Sequence, residues 1–278
     1  MTRNRYSGLK GALMALAVAA SMSMPILALA QTPAPPKTVV VLVDLSDSTK
    51  EWRQEFLSDF RLLLDHMNAG DKLLVSRIIR NPSAADTLPI HVTLPAESFG
   101  ANPRKALQER LVHLTGALMD FEKVLQTVES ATPIVEVLEK VPRWFQSFPN
   151  DRKIVVLMSD MREYSPSTAN FESSNGWKPA SLDAFLVQLG KKQLIADLTG
   201  VRIYVAGARD KDENRLRAVR GFWQRYFTEA KAEFAANRYE SRLVQFDECN
   251  SADACKSTVF REKREGEIRK FVELRRPK

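Results

Sequence analysis

Three oxygen-bearing side chains stand at alternate positions in Asp44-Leu45-Ser46-Asp47-Ser48, directly after the apolar run Val39 to Val43. A carboxylate and two hydroxyls delivered by one turn are hard donors, suited to Mg²⁺ or Mn²⁺ in octahedral geometry and poorly suited to softer metals. The same serines would also serve as ordinary caps of a following helix. Enzyme chemistries lack their partners. An aspartyl phosphohydrolase also places its nucleophile at a strand end, but it wants a second aspartate two positions on, where this chain has Ser46. His66, His91 and His113 fall on a helix face, a strand and another helix, with no Ser or Cys nucleophile motif beside them. No Gly-rich phosphate loop occurs.

The elements that must carry these groups alternate along the chain. Thr38 to Val43 is a β-branched run of the kind buried on both faces of a parallel sheet. Trp52, Phe56, Phe60, Leu63 and Met67 then recur at helical spacing, and Gly70 stands where that helix must stop. Lys72 to Ile79 and Ile90 to Leu94 read as strands joined by a turn-rich segment. Leu107 to Val128 has steps of 3 and 4 throughout, a long amphipathic helical region that Gly116 is expected to divide. Ile134, Leu138, Val141, Phe145 and Phe148 mark another helical face, in which Pro142 should kink or restart the helix. The pattern continues with Lys153 to Met158 as a strand, Leu182 to Leu198 as a helix, Val201 to Ala206 as a strand, Leu216 to Phe234 as a helix and Arg242 to Phe246 as a last strand. Within the last helix, Phe222, Trp223, Tyr226 and Phe227 read as core with an interaction patch as the alternative. Strands separated by helices need crossover connections, so the expected fold is α/β, a doubly wound, mostly parallel sheet flanked by helices. Ligands of such sheets bind at the strands' carboxyl ends.

At this point the sequence resembles the von Willebrand factor A domain family, whose metal-ion-dependent adhesion site begins with Asp-x-Ser-x-Ser at the same location. Two further family elements follow in order: Ala131-Thr132-Pro133-Ile134 opening a helix, and Val155-Val156-Leu157-Met158-Ser159-Asp160 closing a strand. The resemblance implies that Ser46, Ser48 and Thr132 supply hydroxyl oxygens to a Mg²⁺ or Mn²⁺, with Asp44 and Asp160 acting directly or through bound water. It also implies an open position for a partner's carboxylate. The chain departs from the family where Asp47 and Met161 replace frequent glycines; Met161 is expected to add bulk at the rim and Asp47 to add negative charge. Bland readings stand beside this one: Thr132 before Pro133 is a strong helix cap, and Asp160 with Arg162 and Glu163 could form a surface turn.

Composition sets the context. The chain has 278 residues, 44% hydrophobic and 27% charged, enough apolar material for one large domain. Its formal charge of +7 resides at the termini: residues 31 to 255 hold 29 basic and 30 acidic residues, so a nucleic-acid groove is not expected. Arg3, Arg5 and Lys10 precede an uncharged stretch from Gly11 to Ala30 that ends in Ala28-Leu29-Ala30, the pattern of a signal peptide cleaved before Gln31. A retained inner-membrane signal anchor is the alternative. The expected division is a signal peptide at 1–30, a Pro-rich spacer at 31–37, a domain at 38–248, and a disulfide loop with a basic tail at 249–278. Cys249 and Cys255, an isolated pair in a chain read as exported, are expected to be bonded, with a redox or metal role as the alternative. The tail from Lys256 holds nine basic residues and is expected to be peripheral, either merely solvated or in weak contact with an anionic surface.

The expected function is that of a periplasmic or otherwise exported binding module, not an enzyme, that uses its dication to recognise an acidic side chain of a protein partner. No integral membrane span is expected after cleavage. The alternative is a structural assembly component with a degenerate metal site, whose contacts come from the Pro103 to Ser130 insertion and the basic tail. A metal-dependent phosphohydrolase comes behind both.

Overall fold

The computed structural model describes residues 35–80, 88–96, 102–165, 169–243 and 246. Its central strand is β1 (Lys37–Val43), buried along its whole length. A strand hidden on both faces needs apolar side chains on both, which explains a run of five consecutive aliphatic residues in place of an alternation. The other strands are β2 (Lys72–Arg77), β3 (Ile90–Thr93), β4 (Arg152–Met158), β5 (Val201–Ala206) and β6 (Tyr239–Glu240), in the order β3-β2-β1-β4-β5-β6. All neighbours are parallel except β2 and β3. The strand order reverses between β1 and β4, so the crevice outside their carboxyl ends is the topological switch point, where open α/β sheets bind ligands.

Successive β1 side chains go to opposite faces and nucleate two cores. Val40 and Leu42 pack with α3 (Ile134–Leu138), α4 (Val141–Gln146), α5 (Pro179–Lys191) and α6 (Glu213–Glu229). Val39, Val41 and Val43 pack with α1 (Arg53–Asp65) and α2 (Pro103–Val124). The expected doubly wound α/β architecture is therefore the one observed. The aromatic group Phe222, Trp223, Tyr226 and Phe227 is wholly buried in the first core, which removes the interaction-patch alternative.

Several elements differ from expectation. Among the described residues the last strand is Tyr239–Glu240, which makes the pairing with β5; of the strand expected over Arg242 to Phe246, the described Arg242, Leu243 and Phe246 are not in a strand, and Leu243 and Phe246 are buried against the second core. Gly116 does not divide α2, which runs unbroken through it with open space over the glycine. The helix after Ile134 does break as Pro142 requires, restarting as α4 with the proline in its first turn. α5 and α6 end at Lys191 and Glu229, well short of Leu198 and Phe234. Among the described residues no helix is long and apolar enough to cross a membrane. The segment expected to be a signal peptide, most of the expected spacer, Cys249 and Cys255 with their expected bond, and the basic tail lie outside the described residues.

Candidate metal centre

The ladder hydrogen bonds of the sheet continue one residue past β1 and β4 and fix the backbone of the site. The Asp44 amide donates to the Met158 carbonyl at 2.9 Å, and the Ser159 amide donates to the Ala206 carbonyl at 2.9 Å. With Val43 paired to Met158, Asp44 and Ser159 are the next opposed residues. They meet: Ser159 Oγ donates to Asp44 Oδ2 at 2.7 Å. The other oxygen, Oδ1, accepts the Ser46 amide at 2.9 Å and Thr132 Oγ1 at 3.4 Å. Three separate segments thus converge on one carboxylate that is wholly buried.

The turn after Asp44 is held by Thr49, whose Oγ1 donates to the carbonyls of Asp44 and Ser46, both at 3.0 Å. Arg53 pins it from outside, donating to the carbonyls of Leu45 at 2.7 Å and Leu125 at 2.8 Å. Ser46 is the residue before the 3₁₀ turn Asp47–Trp52, yet its side chain makes no capping bond. Its Oγ instead lies 2.9 Å from Ser48 Oγ. One proton joins the two hydroxyls, and each oxygen keeps lone pairs for a further ligand. Asp47 is exposed, unlike the buried Asp44 and Ser46 that precede it.

Thr132 is clamped by an antiparallel bridge to Tyr164, with amide-to-carbonyl bonds of 2.8 and 3.1 Å. The capping reading of Thr132 does not hold: the residue flanking α3 is Pro133, with no side-chain cap, and the Val135 amide donates instead to Glu163 Oε2 at 3.1 Å. The Thr132 hydroxyl is thereby left to Asp44.

Asp160 is not part of a surface turn, since only 2% of the residue is exposed. Its Oδ1 accepts the Arg162 amide at 3.0 Å, and its Oδ2 accepts Arg162 Nε at 2.7 Å with Nη2 at 2.6 Å. Met161 between them adopts φ 65°, a left-handed conformation costly for a side chain, which accounts for glycine being frequent there in the family it resembles. Its side chain is wholly buried in the first core and its carbonyl accepts Trp223 Nε1 at 2.8 Å, so it adds no bulk at the rim.

Electrostatics single out Asp44. Burial first, and the negative charge of Asp160 second, push its carboxyl up from 3.8 to about 6, against the opposing bonds from the Ser46 amide and the Ser159 hydroxyl. None of the groups bonded to Asp44 is a cation. Of the two buried carboxylates, Asp160 is paired with a guanidinium and Asp44 accepts only neutral donors. Asp44, Ser46, Ser48 and Thr132 form one bonded group, and Asp160 joins it through charge. Sequence reasoning left out Ser159 as a partner of Asp44 and Arg162 as a partner of Asp160. The donor set is all hard oxygen and fits Mg²⁺ or Mn²⁺. Among the described residues no cluster of three or more His, Cys, Asp or Glu side chains is arranged for a metal, so any ion here would rely on hydroxyls beside the two carboxylates. The three histidines are not brought together: His66 Nδ1 lies 2.7 Å from the Leu62 carbonyl on α1, His91 is on β3 and His113 on α2.

No protein-family model matches the chain, and no curated protein matches it. Among solved structures, the chain is similar to the manganese-loaded TRAP protein of Plasmodium vivax, at 15% identity over 68% of this chain and 64% of that one, with a TM-score of 0.35. The pilus adhesin SpaC of Lactobacillus rhamnosus GG, in its open conformation, is 15% identical over 87% of this chain and 31% of that one, with a TM-score of 0.41. BatB of Bacteroides thetaiotaomicron, a conserved hypothetical protein, is 10% identical over 81% of this chain and 99% of that one, with a TM-score of 0.37. The chain spans less than two thirds of the first two, and likeness at this level says nothing of ligand or partner.

Proposed function

We propose that the chain is an exported binding module of von Willebrand factor A type, not an enzyme, whose switch-point cluster holds a Mg²⁺ or Mn²⁺ and presents it to an acidic side chain of a protein partner in the bacterial envelope. The observation that carries this reading is the buried Asp44 carboxylate, bonded to three segments by neutral donors alone beside a second buried acid. A dication bound there would supply the missing charge and a direct bond to an incoming carboxylate. Asp44 orients the cluster, Ser46 and Ser48 offer hydroxyl oxygens from one turn, and Thr132 brings a third from a clamped loop. Asp160 contributes its charge from the end of β4. Placement in the envelope rests on the charged and apolar pattern of the first thirty residues.

One observation favours the assembly reading instead: Asp160 is already neutralised by Arg162, as a degenerate site would have it. Capture from envelope extract separates the two. Wild-type protein immobilised in Mg²⁺ should retain a partner that chelator releases and that Asp44→Ala fails to hold. Capture indifferent to both chelator and substitution would favour assembly contacts elsewhere on the chain.

A further inference from the structure

We infer that Arg162 is the resident cation of this centre: it neutralises Asp160 while no metal is bound and yields that carboxylate when a dication enters. The inference rests on the metal reading above and adds a control to it. Arg162 occupies both oxygens of Asp160, one with its amide and the other with its guanidinium. An ion drawing on Asp160 must therefore compete with a bond already made. A lysine or histidine could give way by losing its proton, but a guanidinium stays charged under all relevant conditions and can give way only by moving. The Arg162 side chain is 17% exposed over an Asp160 side chain that is 1% exposed, so the arm covers the acid from the solvent side.

A second acceptor is within electrostatic range. Asp210, just past the end of β5, feels the charge of Arg162, and its side chain is 3% exposed. Arg215 holds it through Nη2 to Oδ1 at 2.7 Å and through Nε to Oδ2. Arg215 in turn feels Asp160. The charges thus alternate as Asp44 and Asp160, Arg162, Asp210, Arg215 across the carboxyl ends of β1, β4 and β5. A dication added at the Asp44 end repels Arg162 toward the Asp210 end, where the carboxylate that Arg215 already holds would be shared by two guanidiniums. Affinity for the metal is consequently held below what the oxygen donors alone would give, and the exchange frees a forked donor at the mouth of the site just when an acidic partner can bind.

Calorimetric titration of Mn²⁺ into the full chain, wild type against R162Q and R162K, tests this. R162Q removes the competing charge and should bind Mn²⁺ at least about tenfold more tightly than wild type, because a full charge a few ångströms away in a partly buried site is worth more than that factor. It should also melt lower than wild type in chelator and gain more from Mn²⁺, since Asp160 is left unpaired until the ion arrives. R162K keeps a charge but cannot fill both guanidinium contacts, and should fall between the two; it carries the test alone if R162Q does not fold. Mn²⁺ affinity of both variants equal to or below that of wild type overturns the inference and leaves the metal centre standing. Absence of Mn²⁺ binding by wild type and variants alike removes both.

Discussion

A buried carboxylate stands at each end of β1, Asp71 beside Lys37 and Asp44 just past Val43, and the two are treated differently. At its amino end, Asp71 Oδ2 accepts Lys37 Nζ at 2.6 Å and the Asn68 amide at 2.7 Å, while Oδ1 accepts the Lys37 amide at 2.9 Å. The ammonium also donates to the His66 carbonyl at 2.7 Å, and neither side chain of the ion pair is exposed. This is a closed arrangement in which each charge has its opposite. At the carboxyl end Asp44 is equally buried but its hydrogen bonds come from neutral amide and hydroxyl donors, and burial first and the charge of Asp160 second raise its carboxyl to about 6. The first end locks the entry of the chain into the sheet. The second keeps a carboxylate with no cation bonded to it, and it lies where the strand order reverses.

If the closed end is structural, breaking it should produce the largest effect in the molecule. Lys37→Met leaves Asp71 buried and uncompensated and should cost about 3–5 kcal/mol by denaturant unfolding, most of it recovered when Asp71→Asn is added. The open end should behave oppositely with pH. Folded Asp44 binds its proton more tightly than unfolded Asp44, so its contribution to stability is present below 3.8 and is lost as pH rises through about 6. Relative to Asp44→Asn, wild type in chelator should therefore lose up to about 3 kcal/mol between acid and neutral pH, a loss that Mg²⁺ reverses. Ser159→Ala removes a 2.7 Å bond to the buried carboxylate and should cost about 1.5–3 kcal/mol by the same unfolding measurement. Thr132→Val removes a bond of 3.4 Å and should cost less than about 1 kcal/mol, while weakening Mn²⁺ binding well beyond that if its oxygen is a ligand.

The difference between the two ends also shows what a sequence can carry. The strand cores were legible because β1, β4 and β5 are apolar on both faces, and that pattern has few other meanings. Asp44, Ser46 and Ser48 were legible because strand, turn and helix are contiguous there. Ser159 was not, because its bond to Asp44 follows from the register of β1 against β4, a relation between residues 115 positions apart. The Lys37–Asp71 pair was hidden for the same reason. Arg162 carried a local signal, two residues from Asp160, but nothing in the sequence distinguishes an exposed turn from a covered one.

The helix ends were misjudged for another reason. α5 closes with the Leu194 amide on the Leu189 carbonyl at 3.0 Å, and α6 with the Ala232 amide on the Phe227 carbonyl at 2.9 Å. Each closure passes through a left-handed residue, Gln193 at φ 57° and Lys231 at φ 57°. Glycine would have announced both stops, whereas glutamine and lysine do not. The apolar residues beyond, such as Leu198 and Phe234, pack on the core from irregular backbone and so mimic a longer helix.

The central claim is that Asp44 and its neighbours hold a dication, and the most direct test is calorimetric titration of wild type and Asp44→Ala with Mg²⁺ and Mn²⁺ near neutral pH. Wild type should bind one ion per chain, with a rise in melting temperature at saturation, and Asp44→Ala should lose most of that affinity. A wild-type protein that shows neither heat nor a melting shift at millimolar Mg²⁺ or Mn²⁺ would contradict the account and leave the open end of β1 without a ligand.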